Sequence, residues 1–131
     1  MLGNARVGHL GLIDDLERPR VLPVTFVLYD GDLWSAIDRK PKRVAASELA
    51  RVRYLRRRPA AALTVDRYDD DDWNALAWVQ ALGRVEILEA ASAPEALAAL
   101  RAKYEQYRGE EPPGPLICLR PEGFLFWRAS G

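Results

Sequence analysis

Residues 18–43, RPRVLPVTFVLYDGDLWSAIDRKPKR, contain the clearest structural pattern of this 131-residue chain. Residues 21–29 have apolar side chains at both alternate sets of positions, which is typical of a strand buried on both faces. Because proline lacks an N–H, we expect Pro23 to lie at a bulge or an unpaired position of that strand. Asp30-Gly31 is the sequence of a two-residue hairpin turn, so residues 33–37 are predicted to run back antiparallel to residues 21–29.

The same stretch ends in a cationic segment. Four of the five residues 39–43 are basic, and Pro41 stiffens the backbone between Lys40 and Lys42. A rigid cluster of ammonium and guanidinium groups at the end of a strand is suited to holding a phosphate. A solvated turn is the commoner explanation for an arbitrary run of Lys and Arg, so the rest of the chain must decide between the two.

Outside this stretch, further hairpins alternate with two helices. Strands are predicted at residues 6–13, 60–66, 75–88, 116–119 and 123–127, and helices at residues 45–58 and 92–108. Gly83 predicts a bulge in the longest strand, and Ser92 with Glu95 predicts a capping box on the second helix. The buried helix stripes are predicted to contain Leu49, Val52 and Leu55 in the first helix, and Leu97, Leu100, Tyr104 and Tyr107 in the second.

These elements predict one domain, residues 1–131, of the mostly β, α+β class. About six mainly antiparallel strands in so short a chain tend to close into a barrel, because closure removes the sheet edges. The two helices are then expected to flank the barrel.

Composition excludes several classes of function. Nineteen basic and nineteen acidic residues give no net charge, which argues against a dedicated nucleic-acid binder. One cysteine, Cys118, and one histidine, His9, leave no internal disulfide and no common zinc site, and they suit a cytoplasmic protein. No apolar run approaches the 18 residues of a membrane span. The acidic segment at residues 67–74 is interpreted as a solvated hairpin tip rather than a metal site.

Motifs of enzyme chemistry are also missing from the sequence. There is no Gly-x-Ser-x-Gly elbow, no Gly-x-Gly-x-x-Gly and no Walker sequence, so no catalytic triad, Rossmann site or P-loop is predicted. What remains is a cationic loop beside apolar strands and the aromatics Trp34, Tyr68, Trp73 and Trp78. This combination favours a phosphorylated flat ring as the ligand, although each aromatic by itself is more often part of a core.

Three segments together resemble the pyridoxamine 5'-phosphate oxidase-like superfamily: residues 18–43, residues 53–73 (RYLRRRPAAALTVDRYDDDDW) and residues 77–88 (AWVQALGRVEIL). The Lys-Pro-Lys-Arg loop and residues 103–119 (KYEQYRGEEPPGPLICL) are similar to a mycobacterial and actinobacterial subgroup assigned to the deazaflavin coenzyme F420. The resemblance covers nearly the whole chain and lies in the order and spacing of the motifs. Relatives often have a helix before the first strand, and many have Asn where this chain has Tyr54.

The resemblance implies a split β-barrel homodimer of the FMN-binding type, with two cofactor sites at the dimer interface. Lys42 is the best match to the phosphate-binding lysine of the family. Residues of this chain that match the family's cofactor-binding positions are Pro23, Val24 and Thr25 along the ring, Ala36, Ile37 and Asp38 at the adjacent strand end, Lys40, Lys42 and Arg43 at the phosphate, and Trp78 and Gln80 from the second subunit.

The function that the resemblance implies is an F420-dependent oxidoreductase. Such an enzyme passes a hydride from the reduced cofactor to a small unsaturated or quinone-like acceptor and needs no catalytic side chain, since the cofactor performs the chemistry. The alternatives are an FMN-dependent oxidase or reductase of the same fold and a non-catalytic F420 carrier. Electrostatic support for the anionic cofactor is expected from residues 39–43 and from the arginines at residues 51–58.

Overall fold

The computed structural model describes residues 1–37, 42–112 and 114–130, and for residues 42–49 it describes the backbone alone. Seven strands form one sheet in which every neighbouring pair is antiparallel. The strands are β1 (Gly8–Ile13), β2 (Pro19–Val24), β3 (Val27–Tyr29), β4 (Asp32–Ala36), β5 (Ala60–Arg67), β6 (Ala77–Leu88) and β7 (Leu116–Arg128). The helices are α1 (Lys42–Arg57), α2 (Pro94–Lys103) and α3 (Glu105–Gly109).

The strand order shows why the sheet curls into a split barrel. The order is β2-β1-β5-β6-β7-β4-β3, so two strands that are adjacent in the chain lie at opposite edges of the sheet. Only Thr25 and Phe26 separate β2 from β3. Three Cα–Cα steps span at most about 11 Å, so the two edges must approach each other across this corner. The predicted mostly β split barrel is confirmed, with seven strands instead of about six.

The prediction of one strand at residues 21–29 is wrong, because the chain changes edge at Thr25 and Phe26. The expected burial on both faces is wrong as well, since Val21 is 68% exposed. Pro23 lies in edge strand β2, and the register from Gly8↔Val24 to Ile13↔Pro19 has no bulge. An edge strand tolerates proline because one of its sides has no ladder partner.

The predicted hairpin turn is confirmed. Asp30 and Gly31 connect β3 to β4 with φ values of 51° and 82°. Positive φ at both central residues matches the type I′ turn, whose twist fits the twist of the flanking strands. Residues 33–37 therefore do run back antiparallel, but to β3 and not to β2.

Two hydrophobic cores lie on opposite faces of the curled sheet. Inside the barrel, Leu10, Leu63 and Leu119 pack with Val52 and Leu55 of α1, each at most 5% exposed. Both α1 residues confirm the predicted stripe, whereas the side chain of Leu49 lies outside the described residues. On the outer face, α2 and α3 cover β3, β4 and the start of β7 through the residues Val27, Trp34, Leu97, Leu100, Tyr104, Tyr107 and Cys118.

The second predicted helix is in fact two helices. Tyr104 has extended backbone angles and separates α2 from α3. The predicted capping box is wrong, because Ala93 is the N-cap and makes no side-chain cap hydrogen bond, while Ser92 ends a short 3-10 turn. Pro94 still occupies the first turn, where its missing N–H costs little.

Strands β6 and β7 form the longest pair. The predicted bulge is confirmed as a register shift between Leu82 and Gly83, at which Glu122 of β7 is the extra residue. The two predicted C-terminal strands are one strand, since the long β6 keeps β7 paired on both sides of the bulge. None of the helices in the described part of the chain is long and apolar enough to cross a membrane.

Candidate functional site

One region of the sheet's outer face is not covered by the helices that the structure describes. Facing side chains of paired strands lie on the same side of a sheet, and on β2, β1, β5, β6 and the end of β7 these outer side chains are exposed or half-buried. We call this region the open face. Its residues include His9, Gly11, Val21, Pro23, Ala62, Thr64, Asp66, Trp78, Gln80, Leu82, Leu125 and Trp127.

The central row of the open face runs across five strands. The register pairs Pro23 with His9, His9 with Thr64, Thr64 with Gln80, and Gln80 with Leu125. Pro23 and Gln80 are three strands apart, which corresponds to about 14 Å at 4.7–4.9 Å per strand. The two predicted cofactor residues thus share one face but not one spot within a single protomer.

Gln80 and Trp78 have well-defined surroundings on β6. The amide Nε2 of Gln80 donates a hydrogen bond to Thr64 Oγ1 at 2.9 Å. Trp78 lies opposite Trp127 and is 37% exposed. Gly11 and Ala62 are small, so the open face is low in the row that joins Val21, Gly11, Ala62 and Leu82, on the other side of the central row from the aromatic pair.

The end of the β6–β7 pair has apolar side chains on both faces. Leu125 and Trp127 belong to the open face, while Phe124 and Phe126 point to the other side and are 52% and 72% exposed. Strand β4 pairs with β7 only as far as Leu119, so the far edge of this segment has no strand partner among the described residues. We call residues 77–82 and 123–128 the projecting ribbon.

The corner between β2 and β3 joins two of the predicted cofactor segments. The Thr25 carbonyl accepts a hydrogen bond from Ser35 Oγ at 2.7 Å, which ties the end of β2 to the end of β4. Thr25 Oγ1 also lies 2.7 Å from the Tyr107 hydroxyl. Val24, Ala36 and Ile37 are at most 8% exposed, with side chains in the cores. The side chains of these three residues are therefore closed to a ligand.

Lys103, the last residue of α2, and Tyr104, which follows it, hold the same corner at Phe26. The Tyr104 hydroxyl accepts the Phe26 N–H at 3.1 Å and lies 2.9 Å from the carbonyl oxygens of both Phe26 and Arg6. Lys103 Nζ donates to the Phe26 carbonyl at 2.7 Å and lies 4.2 Å from the centre of the Phe26 ring. Burial, with a smaller contribution from the Arg6 charge, lowers the pKa of Lys103 to about 8.

Half of the predicted cationic site lies outside the described residues. Asp38 and Lys40 are not among them, and the side chains of Lys42 and Arg43 are not described. The backbone places Lys42 and Arg43 in the first turn of the 16-residue helix α1, not in a loop, and that turn contains no acidic residue. The N-terminus of a helix favours negative charge because its N–H groups point outward along the dipole.

Arg53 and Arg57 of α1, and Arg58 directly after it, bind acidic side chains of the chain itself. Arg53 and Arg57 both bind Asp15, each at 3.1 Å. Arg58 binds Glu17 at 3.5 Å and the Asp14 carbonyl at 3.2 Å. These groups fasten α1 to the β1–β2 turn, so they do not form the predicted electrostatic cradle.

The acidic segment at residues 69–72 binds its own backbone. Asp69 and Asp72 each accept an N–H two residues further along, from Asp71 and Asn74, and Asp70 accepts the Tyr68 hydroxyl. In the part of the chain that the structure describes, no three His, Cys, Asp or Glu side chains are placed to hold a metal ion.

Three residues of the central row, His9, Thr64 and Leu125, were not identified from the sequence as site residues. The available signal was the alternation of β1 and β5, in which Leu10, Leu63 and Val65 mark the core side. Only the sheet order shows that the opposite sides of these two strands lie next to each other.

Comparison with protein-family models gives no match, and comparison with curated proteins gives none. Several solved structures have the same fold. The heme storage protein HutZ of Vibrio cholerae has a TM-score of 0.72 at 17% identity, with 95% of this chain and 87% of that chain covered. A FAD-binding protein of Mesorhizobium loti has a TM-score of 0.66 at 19% identity, covering 95% and 87%. An F420 reductase has a TM-score of 0.63 at 22% identity, covering 95% and 92%.

These similarities, all below 25% identity, establish the split-barrel fold. A flavin-binding, a heme-storage and an F420 protein among them share this fold with the chain. They do not point to one reaction.

Proposed function

We propose that this chain is a homodimeric oxidoreductase that binds F420 on its open face and passes a hydride to a small unsaturated or quinone-like acceptor. The observation that carries the proposal is the open face itself. It has no cover among the described residues, and it contains Pro23, which the sequence resemblance places along the ring, and Trp78 and Gln80, which the resemblance assigns to the second subunit. The F420 reductase and the FAD-binding protein of the same fold support a flavin-type ligand.

The residues of the open face fit a planar tricyclic ring. Gly11 and Ala62 leave space for close approach, and Pro23 offers a rigid apolar edge. The amide oxygen of Gln80 remains available to a ring N–H, because the amide nitrogen already binds Thr64. Val24, Thr25, Ala36 and Ile37 supply backbone groups at the corner.

The projecting ribbon supports a dimer. Four large apolar side chains on its two faces, Phe124, Leu125, Phe126 and Trp127, are between 46% and 72% exposed. Exposed apolar patches rimmed by polar residues are typical of association surfaces, and a ribbon that is apolar on both faces fits between a barrel and its symmetry mate. In such a dimer, Trp78 and Gln80 of one subunit lie beside Pro23 of the other subunit. Within one protomer, Gln80 and Pro23 are about 14 Å apart.

The phosphate of the cofactor is assigned to the start of α1. Lys42 is the proposed ligand, with Lys40 and Arg43 beside it and Asp38 at the preceding strand end. The absence of acidic residues in the first turn of α1 supports an anion at this position. Arg53, Arg57 and Arg58 are already bound to Asp15 and Glu17, so we place the phosphate at residues 40–43.

The bound cofactor supplies a hydride, which is chemistry that no side chain of the chain can provide. The protein binds the ring on the open face, orients it by the Gln80 amide and the corner backbone, and excludes water through the dimer contact. We assign the whole of residues 1–131 to one split-barrel domain. The buried thiol of Cys118, whose pKa burial raises to about 11, suits the reducing cytoplasm.

Titration of the purified chain with F420 and with FMN, followed by fluorescence quenching, tests the proposal. We expect F420 to bind at micromolar concentration and more tightly than FMN, because its anionic tail adds contacts with cations. Binding of FMN alone would replace this proposal by an FMN enzyme of the same fold. Tight binding of F420 without turnover on a panel of acceptors would indicate a carrier.

The variant Lys42→Ala tests the phosphate assignment. Loss of one charge-assisted hydrogen bond costs about 1–3 kcal/mol, so the dissociation constant of F420 should rise roughly 5- to 150-fold. Arg56→Ala is the matched control, since it removes an exposed cation from the last turn of the same helix. Equal effects of the two substitutions would reject Lys42 as the phosphate ligand.

A further inference from the structure

His9 is the single imidazole of the chain, and it lies on the open face, one strand in from the β2 edge. It is exposed, with Pro23 on one neighbouring strand and Thr64 on the other. No hydrogen bond joins the His9 ring to another side chain in the described ranges, whereas the next two polar residues of the row, Thr64 and Gln80, bind each other. The imidazole is therefore available to whatever lies on this face.

The surroundings of His9 contain few ionisable groups. From β2, the facing residues are Val21 and Pro23, which are apolar. From β5 they are Ala62, Thr64 and Asp66, and Asp66 is the one ionisable group among them. Asp66 lies two residues beyond Thr64, about 7 Å further along the strand. His9 is thus the acid–base group nearest to the centre of the row.

Other acid–base groups of the described core are occupied or buried. Lys103 is bound to the Phe26 carbonyl at the corner, and Tyr104 is buried with its hydroxyl bound to the Phe26 N–H. Cys118 is 0% exposed beneath α2. None of the three faces the open surface on which a ring and its acceptor would lie.

We infer that His9 is the proton donor of this site, an inference that rests on the proposed function. Reduction of an enone needs a hydride at its β-carbon and a proton at its α-carbon. The β-carbon receives the hydride, with its electron pair, from the reduced cofactor, and the C=C π bond breaks. The α-carbon then takes the proton from the imidazolium N–H of His9, and the imidazole regains a proton from water. The acceptor gains two electrons and two hydrogens; the cofactor loses the same two electrons with the hydride and releases its second hydrogen as a proton to water, which balances the proton that His9 takes back.

Contact between His9 and the ligand can be tested directly, because one imidazole gives one set of NMR resonances. We expect these resonances to shift on addition of oxidised F420, with the same saturation curve as fluorescence quenching of the chain. Unchanged imidazole resonances at saturating F420 would overturn the inference and leave cofactor binding intact. Absence of F420 binding in both measurements would overturn the inference together with the proposed function.

Single-turnover oxidation of reduced F420 by 2-cyclohexen-1-one tests the proton transfer. In the variant His9→Gln we expect a rate at least about 100-fold lower, as is typical for loss of a general acid, with F420 affinity unchanged within about threefold. Added imidazole should partly restore the rate of His9→Ala.

Gln106→Ala, an exposed change on α3, is the control and should retain the wild-type rate. Equal rates for wild type and His9→Gln would overturn the proton-donor role. A wild-type chain that binds F420 but does not reduce the enone would also overturn it, while the cofactor-binding proposal would stand.

Discussion

Replacement of Tyr104 by Phe removes one oxygen atom from the corner that closes the barrel. The Tyr104 hydroxyl accepts the Phe26 N–H at 3.1 Å and donates to one of two carbonyl oxygens, of Phe26 and Arg6, each at 2.9 Å. In the variant the Phe26 carbonyl keeps its bond to Lys103 Nζ. The Phe26 N–H has no such second partner, and Phe26 is 0% exposed.

The expected cost follows from this unsatisfied donor. A buried polar group left without its partner costs about 1–3 kcal/mol, so we expect Tyr104→Phe to lower the free energy of unfolding by about 2 kcal/mol. At roughly 4 °C per kcal/mol for a chain of this length, the Tm should fall by about 8 °C. The slope of unfolding against urea concentration should not change, since the same surface is exposed on unfolding.

Tyr68→Phe provides a matched control. It removes the same atom from a tyrosine that is 62% exposed and bound only to Asp70 in the described structure, and it should change stability by less than about 0.5 kcal/mol. Thermal and urea unfolding, followed by circular dichroism, measure both variants. A Tm of Tyr104→Phe within about 2 °C of wild type, or an equal loss in Tyr68→Phe, would refute the role assigned to the corner.

Three further predictions concern the bulge, the lysine of the corner and the ribbon. Gly83→Ala should cost about 3 kcal/mol or more, because its Cβ would overlap the Arg120 carbonyl, whereas Gly123→Ala, with open space around it, should be nearly neutral in urea unfolding. The pKa of Lys103 is about 8 in the folded chain and ordinarily 10.5, so from pH 8 upward the unfolded state holds more protons and stability should rise with pH; Lys103→Met should abolish this rise between pH 8 and 9, and a rise that persists would contradict it. Phe126→Glu, which places a charge on the projecting ribbon, should give a monomeric mass by light scattering at micromolar concentration where the wild type is dimeric; a monomeric wild type would exclude the dimer.

Local structure could be predicted from the sequence wherever neighbouring residues determine it. The Asp30-Gly31 turn follows from backbone conformations that few residues adopt. Gly83 marks the bulge because no side chain fits against the facing backbone. Val52, Leu55, Leu97 and Leu100 follow from helical spacing, and all four are buried. The class of fold could be predicted because hairpin signals and two amphipathic helices restrict the arrangements of so short a chain.

The points at which a predicted strand or helix divides into two could not be predicted in this way. Residues 21–29 look like one strand because apolar side chains continue at alternate positions before and after the corner. No local feature of the sequence shows that Thr25 and Phe26 cross from one sheet edge to the other. The division of the second helix at Tyr104 has the same origin, since its hydroxyl is held by Arg6 and Phe26, 98 and 78 residues away in the chain.

The open face could not be predicted from the sequence for a related reason. Its central row takes one residue from each of five strands, so no spacing in the sequence connects Pro23, His9, Thr64 and Gln80. The sequence by itself determined the turn, the bulge and the helix stripes, because these depend on a residue and its near neighbours. Strand order, which depends on closing loops of many residues, decided which small and polar side chains lie together and placed the single histidine beside Pro23 and Thr64 on one surface.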